Sequence, residues 1–479
     1  GDGAVFISSE QSALVRSGIT PLEVDQEQLY GYLLHGYTPE PASLISGVRK
    51  VPAGHYLRVS TLSGSVTEHA YWNPLDEVSD RRLDDDDLAS ALQDAIISAC
   101  TSDVPVGIAL SGGLDSSLVA AVAASARTDL RAFTVGYETP GQDESEQACS
   151  LASQLGIPCH TVTLRTSDIA RDFAKVCGDR DEPISDIAGP AISSLPHTAQ
   201  QVGVPVLLTG IGGDELFWGY DWMRQLATWT TRYLSEGPGK WKTRIPRVTP
   251  FPNVLQAQAD WARDLGGVLT DRQLRQFMAR NSFDGTVPLP FYEFQPSYRS
   301  IRRGIRELLP GTSSGGNAEF RGPNVADWTP ALYTIASNET YLRVNSFVQV
   351  DRLAMRYSVE SRTPLADSAL VSTVLSGRLA SLDYIRPPKA RMKEVARRFL
   401  PADVLDRPKR GFTPPVRHWA EAIWKENEDA KNGDQIAILT DLNRGRTREW
   451  LSSPAFKNGR MNQVALRLMT LELWLRSLT

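Results

Sequence analysis

The chain is 479 residues long, which exceeds the usual size of one hydrophobic core, so we expect two domains or one large domain with an appendage. Its 51 Lys and Arg side chains against 56 Asp and Glu give a net charge of -5, without the basic excess expected of a nucleic-acid-binding protein. The sequence contains no apolar run of about 18 residues and no signal-peptide pattern at its start, which predicts a soluble, cytoplasmic protein with neither a membrane nor a nucleic-acid partner.

The cysteine content is low for a chain of this size. Cys100, Cys149, Cys159 and Cys177 have no CxxC spacing, and a long chain with so few cysteines does not need disulfides to fold. We therefore expect reduced thiols.

The first part of the chain, residues 1 to 78, alternates short apolar runs with turns. The runs are "AVFIS", "GVRKVPAGHYLRVS" and "SVTEHAYWNP". They predict a small β-rich unit with one helical insert, "DQEQLYGYLLHGY". The acidic stretch "DEVSDRRLDDDD" is typical of a linker and helix start, because carboxylates stabilise the positive end of a helix dipole. We place the domain boundary there, with the second domain over residues 79 to 479.

From residue 88 onward, predicted helices and strands alternate. The strands are "VGIAL", "LRAFTVGY", "CHTVTL" and "VPVLLTG"; the helices between them are "LASALQDAIISAC", "SSLVAAVAASA", "ESEQACSLASQLG" and "AISSLPHTAQQVG". This alternation predicts an α/β fold with a parallel sheet covered on both faces, in which ligands bind at the carboxyl ends of the strands. The chain beyond residue 220 is predicted to be mainly helical.

The stretch "SGGLDSS" (111–117) follows a predicted strand and opens a helix, where backbone N–H groups attract an anion. Gly112 and Gly113 allow close backbone approach, and the serines offer hydroxyl donors. Asp115 would repel a phosphate unless Mg²⁺ bridges the two. The loop lacks the lysine of a GxxxxGK[ST] phosphate loop. Taken alone, the stretch also fits a well-capped strand-to-helix turn.

A second stretch, "VLLTGIGGDELFWGY" (206–220), repeats the pattern of a strand followed by a glycine-rich acidic turn. It ends at the same edge of the predicted sheet, so Asp214 is a candidate second Mg²⁺ ligand opposite Asp115. By itself this turn too fits simple capping.

Five stretches together resemble the synthetase domain of glutamine-dependent asparagine synthetases. In order and spacing they are "SGGLDSS", "FTVGY", "TGIGGDELFWGY", "VDRLAMRYSVESRTPLAD" and "VLDRPKRGFTPPVRHW". Residues 1 to 75 are similar to the last third of that family's glutaminase domain. The resemblance implies a parallel-sheet ATP pyrophosphatase domain (adenine nucleotide alpha hydrolase-like) with a helical C-terminal part. A partial, β-rich remnant of an N-terminal-nucleophile glutaminase-like domain would precede it.

The family chemistry implied by this resemblance is carboxylate adenylation. A carboxylate attacks the α-phosphate of ATP, pyrophosphate leaves, and an amine captures the acyl-adenylate. The same resemblance implies that pyrophosphate is held by Ser111, Gly112, Gly113, Asp115 and Ser116, and that Mg²⁺ is held by Asp115 and Asp214. It implies that adenosine is contacted by Ala109, Val135, Thr209 and Gly210. Lys409 would stabilise negative charge on the phosphates. Glu360 and Arg362 match charged positions near the family's substrate pocket, with a buried structural ion pair as the alternative.

Two departures from the family pattern bear on the reaction. The glutaminase nucleophile is a cysteine at the mature N-terminus, whereas residue 1 here is Gly and the first cysteine is Cys100. We therefore expect either a missing upstream segment or an enzyme that uses no glutamine. Ile211 stands where asparagine synthetases have a glutamate that handles the proton during ammonia attack, and isoleucine cannot accept a proton.

An apolar residue at position 211 indicates a different amine. Relatives such as β-lactam synthetases and lasso-peptide cyclases capture the activated carboxylate with an amine of the same molecule, where effective concentration supplies much of the rate. Our leading hypothesis is amide formation within a peptide, of the lasso macrolactam type, with a peptide or small-molecule carboxylate as substrate. A leader peptidase or a precursor-peptide recognition protein would then be a partner.

Three other functions are weighed against this hypothesis. A genuine asparagine synthetase is the nearest alternative. Base modification in tRNA would require a basic surface and an exposed cysteine pair. A non-catalytic binding protein would not need Ser111, Asp115, Asp214 and Lys409 intact. The aromatic and basic residues of 221 to 345 fit a peptide groove or simple amphipathic helix packing.

Overall fold

The computed structural model describes residues 4–138, 143–236, 282–283, 287–288, 325–407, 415–457 and 460–479. The structural statements that follow concern these residues. The region from 221 to 345, predicted to form a peptide groove or packed helices, lies mostly outside them.

The N-terminal unit consists of two short helices and one hairpin: α1 (Gln11–Arg16), α2 (Gln26–His35), β1 (His55–Val59) and β2 (Val66–Ala70). Helix α2 is the predicted helical insert; the Asp25 side chain caps it by accepting from the N–H groups of Glu27 and Gln28. The prediction of a β-rich unit is only half right. The run "AVFIS" is not a strand, and among the described residues no strand pairs with it.

A five-stranded parallel sheet forms the centre of the second domain. Its strands are β3 (Val106–Ala109), β4 (Arg131–Tyr137), β5 (Cys159–Leu164), β6 (Val206–Leu208) and β9 (Glu360–Arg362), in the spatial order β5-β4-β3-β6-β9. The four strands predicted from apolar runs are confirmed. The chain moves outward from β3 to β5 and returns to β6 on the other side of β3, so the strand order switches direction there. A crevice at the carboxyl ends of β3 and β6 is the expected ligand position of such a sheet.

Helices cover both faces of the sheet. The first five are α3 (Asp85–Ala99), α4 (Leu114–Ala126), α5 (Ser145–Gln154), α6 (Thr166–Asp179) and α7 (Gly189–Gln201). Helix α3 begins where the acidic stretch predicts, with the Asp84 side chain accepting from the Asp87 N–H. Adjacent residues of one strand enter different apolar clusters, Leu208 with α3 and α4 and Leu207 with α7, as the twofold alternation of a strand requires. The α/β fold with a doubly covered parallel sheet is therefore confirmed.

The remaining described chain is mainly helical, as predicted. Its helices are α8 (Gly213–Leu216), α9 (Asp221–Glu236), α10 (Val325–Ser337), a π-helix (Asn338–Phe347), α11 (Val348–Met355), α12 (Ser368–Ser376), α13 (Ala390–Ala396), α14 (Ala402–Leu405), α15 (Val416–Glu426), α16 (Asp434–Leu439), α17 (Arg444–Leu451) and α18 (Gln463–Leu478). Three 3₁₀ turns (Pro364–Ala366, Asp383–Ile385, Glu428–Asn432) and two short hairpins (β7 Ser282–Phe283 with β8 Val287–Pro288, β10 Phe456–Lys457 with β11 Arg460–Met461) complete it. Helix α18 is the most enclosed, with the Trp474 side chain fully buried.

The N-terminal unit is bound to the second domain by polar contacts around the loop after α6. The Asp181 carboxylate accepts from the N–H groups of Gln11 (2.7 Å) and Ser12 (2.9 Å). Lys50 forms an ion pair of 2.6 Å with Glu182. These contacts are partly or fully buried, so the N-terminal unit packs directly against the second domain.

One cysteine prediction is wrong. Cys149 on α5 and Cys159 at the start of β5 form a disulfide, whereas Cys100 and Cys177 are buried free thiols. The turn between α5 and β5 brings the two Cα atoms within 5.5 Å, a normal disulfide separation that a spacing rule based on CxxC does not detect. Among the described helices, none is both long and apolar enough to cross a bilayer.

Candidate active site

The first glycine-rich loop lies directly after β3. Gly112 has φ +75°, a left-handed conformation that favours glycine, and it packs against the first turn of α5. The N–H of Ser111 donates to the Ser116 hydroxyl at 3.1 Å, which folds the loop back onto the first turn of α4. The Gly113 N–H donates to the Ser111 hydroxyl at 3.4 Å, and the N-cap residue Gly113 has no side chain to accept from the first N–H groups of α4.

The second glycine-rich loop follows β6 and touches the first loop. A Cβ at Gly210 would lie 2.6 Å from the Ser116 nitrogen, and one at Gly213 would lie 2.6 Å from Asp115 Oδ1. Only glycine allows this approach. Gly212, with φ +103°, makes the sharp turn into α8 that directs Asp214 toward Asp115. The predicted meeting of the two loops at one sheet edge is confirmed.

A buried lysine joins the two loops. Lys389 Nζ donates to Asp214 Oδ1 at 2.7 Å and also to Asp115 Oδ2. Its side chain is only 7% exposed. Burial opposes the charged form, but the attraction of Asp115 and Asp214 outweighs it and holds the pKa of Lys389 above its ordinary value. The group is therefore a cation at neutral pH.

Sequence reasoning missed Lys389. It is 274 residues from Asp115 along the chain and follows two prolines in "RPPKAR". Its backbone is left-handed, with φ +56°, at the residue before α13. A lysine next to prolines is usually a solvated loop residue, and the only local signal of a special role is this backbone conformation, which the sequence does not reveal.

Glu215, next to Asp214, is a second feature of the site that no sequence pattern marks. Its side chain is buried and accepts from the Tyr220 hydroxyl at 2.8 Å. Burial raises the pKa of Glu215 to about 7, repulsion from Asp214 adds to the effect, and the Tyr220 hydrogen bond opposes it. A carboxyl group that titrates near neutrality thus lies beside the two aspartates.

Comparison with known proteins agrees with this geometry. The Asparagine synthase family model matches residues 87–476, and the Glutamine amidotransferase domain model matches residues 1–72. The chain belongs to the asparagine synthase family. The resemblance drawn from the five motifs is confirmed.

Relatives within this family carry several names. Asparagine synthetase [glutamine-hydrolyzing] 1 of Bacillus subtilis is 27% identical over 430 residues, 87% of this chain and 63% of its own length. Amidase chyE of Penicillium rubens is 26% identical over 425 residues, 79% of this chain and 60% of its own. The chain therefore spans less than two thirds of the length of these relatives. Among solved structures, an NH3-dependent NAD synthetase from Campylobacter jejuni is similar over 43% of this chain and 99% of its own, at 18% identity and a TM-score of 0.23.

The positions expected to contact adenosine in the synthase family reach the same edge of the sheet. Ala109 is the last residue of β3, and Thr209 and Gly210 directly follow β6. The Thr209 N–H donates to the Arg362 carbonyl at 2.9 Å, which extends the pairing of β6 with β9. Val135 lies near the carboxyl end of β4 and is half-buried beside an apolar cluster. Their contact with a nucleotide stays a prediction.

The remaining predicted positions are Glu360, Arg362 and Lys409. Arg362 Nη1 donates to the carbonyls of Ala99 (2.8 Å) and Thr101 (2.7 Å) at the end of α3, and its Nε donates to Glu360 at 2.9 Å. Glu360 pairs with Val206 at the amino end of β6, away from the loops. The two side chains form an ion pair, with Arg362 24% and Glu360 58% exposed, and their contact with a substrate stays a prediction. Lys409 lies outside the described residues.

The Asp115 and Asp214 carboxylates suit Mg²⁺, the metal that the resemblance implies. No group of three or more His, Cys, Asp or Glu side chains suited to a metal occurs in the described part of the chain. Asp115 and Asp214 nevertheless offer hard oxygen ligands around one position, which the Lys389 ammonium occupies. Mg²⁺ typically binds proteins through one or two carboxylates and takes its other ligands from water and substrate phosphates. Two carboxylates are therefore sufficient for magnesium held together with ATP.

Proposed function

We propose that this chain is an ATP-dependent carbon-nitrogen ligase that forms AMP and pyrophosphate. The observation that supports it most strongly is the convergence of Asp115 and Asp214, each from a glycine-rich loop after a neighbouring parallel strand, on one buried cation. This arrangement combines anion-binding backbone with paired carboxylates, which would repel phosphate alone but suit a magnesium-bound triphosphate.

In the first half-reaction, the loop after β3 would hold the pyrophosphate part of ATP. Backbone N–H groups at 112 and 113 and the hydroxyls of Ser111 and Ser116 are its donors. Asp115 and Asp214 would hold Mg²⁺, which when bound neutralises charge on the phosphate oxygens. A substrate carboxylate oxygen then bonds to the α-phosphorus and pyrophosphate leaves. Lys409, from the segment outside the described residues, would add positive charge to the departing group.

In the second half-reaction, an amine attacks the acyl carbon, AMP leaves, and one proton must be removed from the new amide nitrogen. Ile211, half-buried in the loop between Thr209 and Gly212, cannot take that proton. We infer that the amine belongs to the activated substrate itself, because closure of one molecule on its own carboxylate gains rate from effective concentration. The finer proposal is therefore intramolecular amide formation in a peptide, of the macrolactam type.

A second candidate function has its own support. Relatives that share the same domain are named asparagine synthetases, so conversion of aspartate to asparagine with ammonia or glutamine is the alternative reaction. A relative named amidase in the same family favours specialised substrates. A leader peptidase or precursor-peptide recognition protein as partner remains a prediction tied to the peptide reaction.

The experiment compares two substrate sets with the same protein. The full chain is incubated with ATP and Mg²⁺ together with aspartate and ammonia or glutamine, and in parallel with linear peptides encoded near its gene. Mass spectrometry detects asparagine or a peptide that has lost one water, and AMP release is measured in both. Asparagine at ordinary enzymatic rates would contradict the intramolecular proposal. If AMP is released with neither substrate set, both proposed reactions are contradicted.

A further inference from the structure

The ion pair between the two loops has a consequence for metal binding. Lys389 Nζ contacts one oxygen of Asp115 and one of Asp214, and the three side chains are 7%, 17% and 24% exposed, respectively. These are the carboxylates that the proposed function assigns to magnesium. We propose that Lys389 and the magnesium ion are alternative partners of Asp115 and Asp214, so that the metal enters the site only when ATP draws the ammonium away.

Competition follows from charge and space. Magnesium binds carboxylate oxygens at about 2.0 to 2.1 Å, which would place it within a few ångströms of an ammonium that contacts the same oxygens. Two like-charged cations that close repel strongly in a site with little solvent. The ammonium and the metal therefore compete for these two carboxylates.

The energetic balance makes the exchange depend on nucleotide. Without ATP, an ammonium that leaves Asp115 and Asp214 loses both of its ion-pair partners in a mostly buried position, a loss that opposes metal entry. The triphosphate supplies new negative oxygens to which the ammonium can move. Metal and nucleotide binding are then linked, each strengthening the other, with Lys389 as the group that carries the coupling.

The backbone around Lys389 suits this role. The left-handed residue stands just before α13, after two prolines, which fixes the direction in which the side chain leaves the backbone. The lysine stem has four flexible methylene groups, so the ammonium can change partners while the backbone stays in place. The same ammonium also keeps the two aspartates from repelling one another when no metal is bound.

The test measures metal binding to the full chain without any substrate, so it does not depend on activity. Mn²⁺ replaces Mg²⁺, and free Mn²⁺ is followed by electron paramagnetic resonance with and without a non-hydrolysable ATP analogue. We expect the Lys389→Met variant to bind Mn²⁺ in the absence of nucleotide about tenfold more tightly than the natural protein. The gain in Mn²⁺ affinity on adding the analogue should be correspondingly smaller in the variant.

Lys393→Met is the matched control, because Lys393 lies one turn further along α13 and makes no contact with either aspartate among the ion pairs of the described residues. It should bind Mn²⁺ as the natural protein does. Unchanged affinity in Lys389→Met would overturn the exchange while leaving the metal site in place. Absence of Mn²⁺ binding in every protein, with the ATP analogue present, would instead overturn the assignment of the two aspartates and with it the exchange.

Thermal unfolding keeps the proposal testable if Lys389→Met is poorly stable. In EDTA the variant should melt below the natural protein, because the two mostly buried carboxylates lose the ammonium that joins them, and Mn²⁺ should restore most of the loss. The double variant Asp115→Asn with Lys389→Met has one carboxylate fewer, so it should melt higher in EDTA than Lys389→Met and respond less to Mn²⁺. If Mn²⁺ does not change the melting temperature of Lys389→Met, the proposed exchange between Lys389 and the metal is contradicted.

Discussion

Asp115, Asp214 and Lys389 form one cluster of charges at the carboxyl edge of the sheet, and Glu360 with Arg362 forms another on the edge strand β9. In the first cluster one ammonium bridges carboxylates from two different loops in a mostly buried place. In the second, one guanidinium matches one carboxylate and also satisfies the last carbonyls of α3. The first cluster joins two loops at the sheet edge where ligands are expected to bind, whereas the second joins an edge strand to the end of a helix.

Removal of one negative charge from each cluster should separate the two most clearly. Asp115→Asn and Asp214→Asn should each lower the rate of adenylation by about a thousandfold, because the amide cannot hold the metal that neutralises the phosphates. Glu360→Gln should leave that rate unchanged. ATP–pyrophosphate exchange with the true substrate measures all three, and circular dichroism checks that each variant is folded. Full exchange in Asp115→Asn would refute the metal-ligand assignment, and a large difference between the two aspartate variants would mean that only one of them binds metal.

Glu215 is a further buried carboxyl next to Asp214, and its titration should be visible in the free energy of unfolding. Its pKa in the fold is about 7, above the ordinary 4.5, so the folded state holds a proton that the unfolded state has released. The group therefore stabilises the fold most at low pH, and its contribution declines as pH rises from about 4.5 to 7. We expect the natural protein to lose on the order of 2 to 3 kcal/mol more than Glu215→Gln between pH 5 and pH 8.

Urea unfolding of both proteins across that pH range is the measurement for Glu215. The free energies of unfolding are compared at each pH, so that losses common to the two proteins cancel. Parallel curves for the natural protein and Glu215→Gln would show that the buried carboxyl does not titrate there.

Arg362 tests the cluster on the edge strand β9 through its guanidinium group. Arg362→Gln removes hydrogen bonds to the carbonyls of Ala99 and Thr101, which close α3, and we expect a loss of about 2 kcal/mol in the free energy of unfolding. The rate per folded molecule should not change, since the side chain points away from the loops. A specific loss of adenylation in a protein of nearly natural stability would return Arg362 to the substrate pocket.

Ile211 lies in the second loop, three residues before Asp214, and a glutamate there would add a carboxylate to that loop. In the intramolecular reaction, Ile211→Glu should weaken substrate binding by about tenfold, because a polar group is placed at a half-buried apolar position. It should not create asparagine synthesis. A rise in ammonia-dependent asparagine formation of roughly 10²- to 10⁴-fold, the effect of a positioned general base, would instead favour the asparagine synthetase alternative. Asparagine is measured for both proteins at saturating aspartate and ammonia.

Much of the fold follows from local patterns in the sequence. The strands around Ile108 and Leu207 are marked by buried apolar runs, and α3 is marked by its acidic first turn. The glycines of the two loops indicate a tight backbone after each strand, and parallel strands place both loops at one edge. These features depend on residues close together in the chain, so local patterns are sufficient to place Asp115 and Asp214 opposite each other.

Other features depend on residues that meet only after folding. Lys389 enters the site from a distant helix start, β9 is too short to show an apolar pattern, and the direction of the Arg362 side chain is set by the end of α3. The Cys149–Cys159 disulfide likewise depends on how α5 turns into β5. Periodicity and turn chemistry specify the local backbone, but the distance between two side chains far apart in sequence is set by packing. Local patterns in this chain therefore specify the sheet and its two acidic loops, whereas the cation between those loops is placed by the packing of a segment more than 170 residues beyond the second loop.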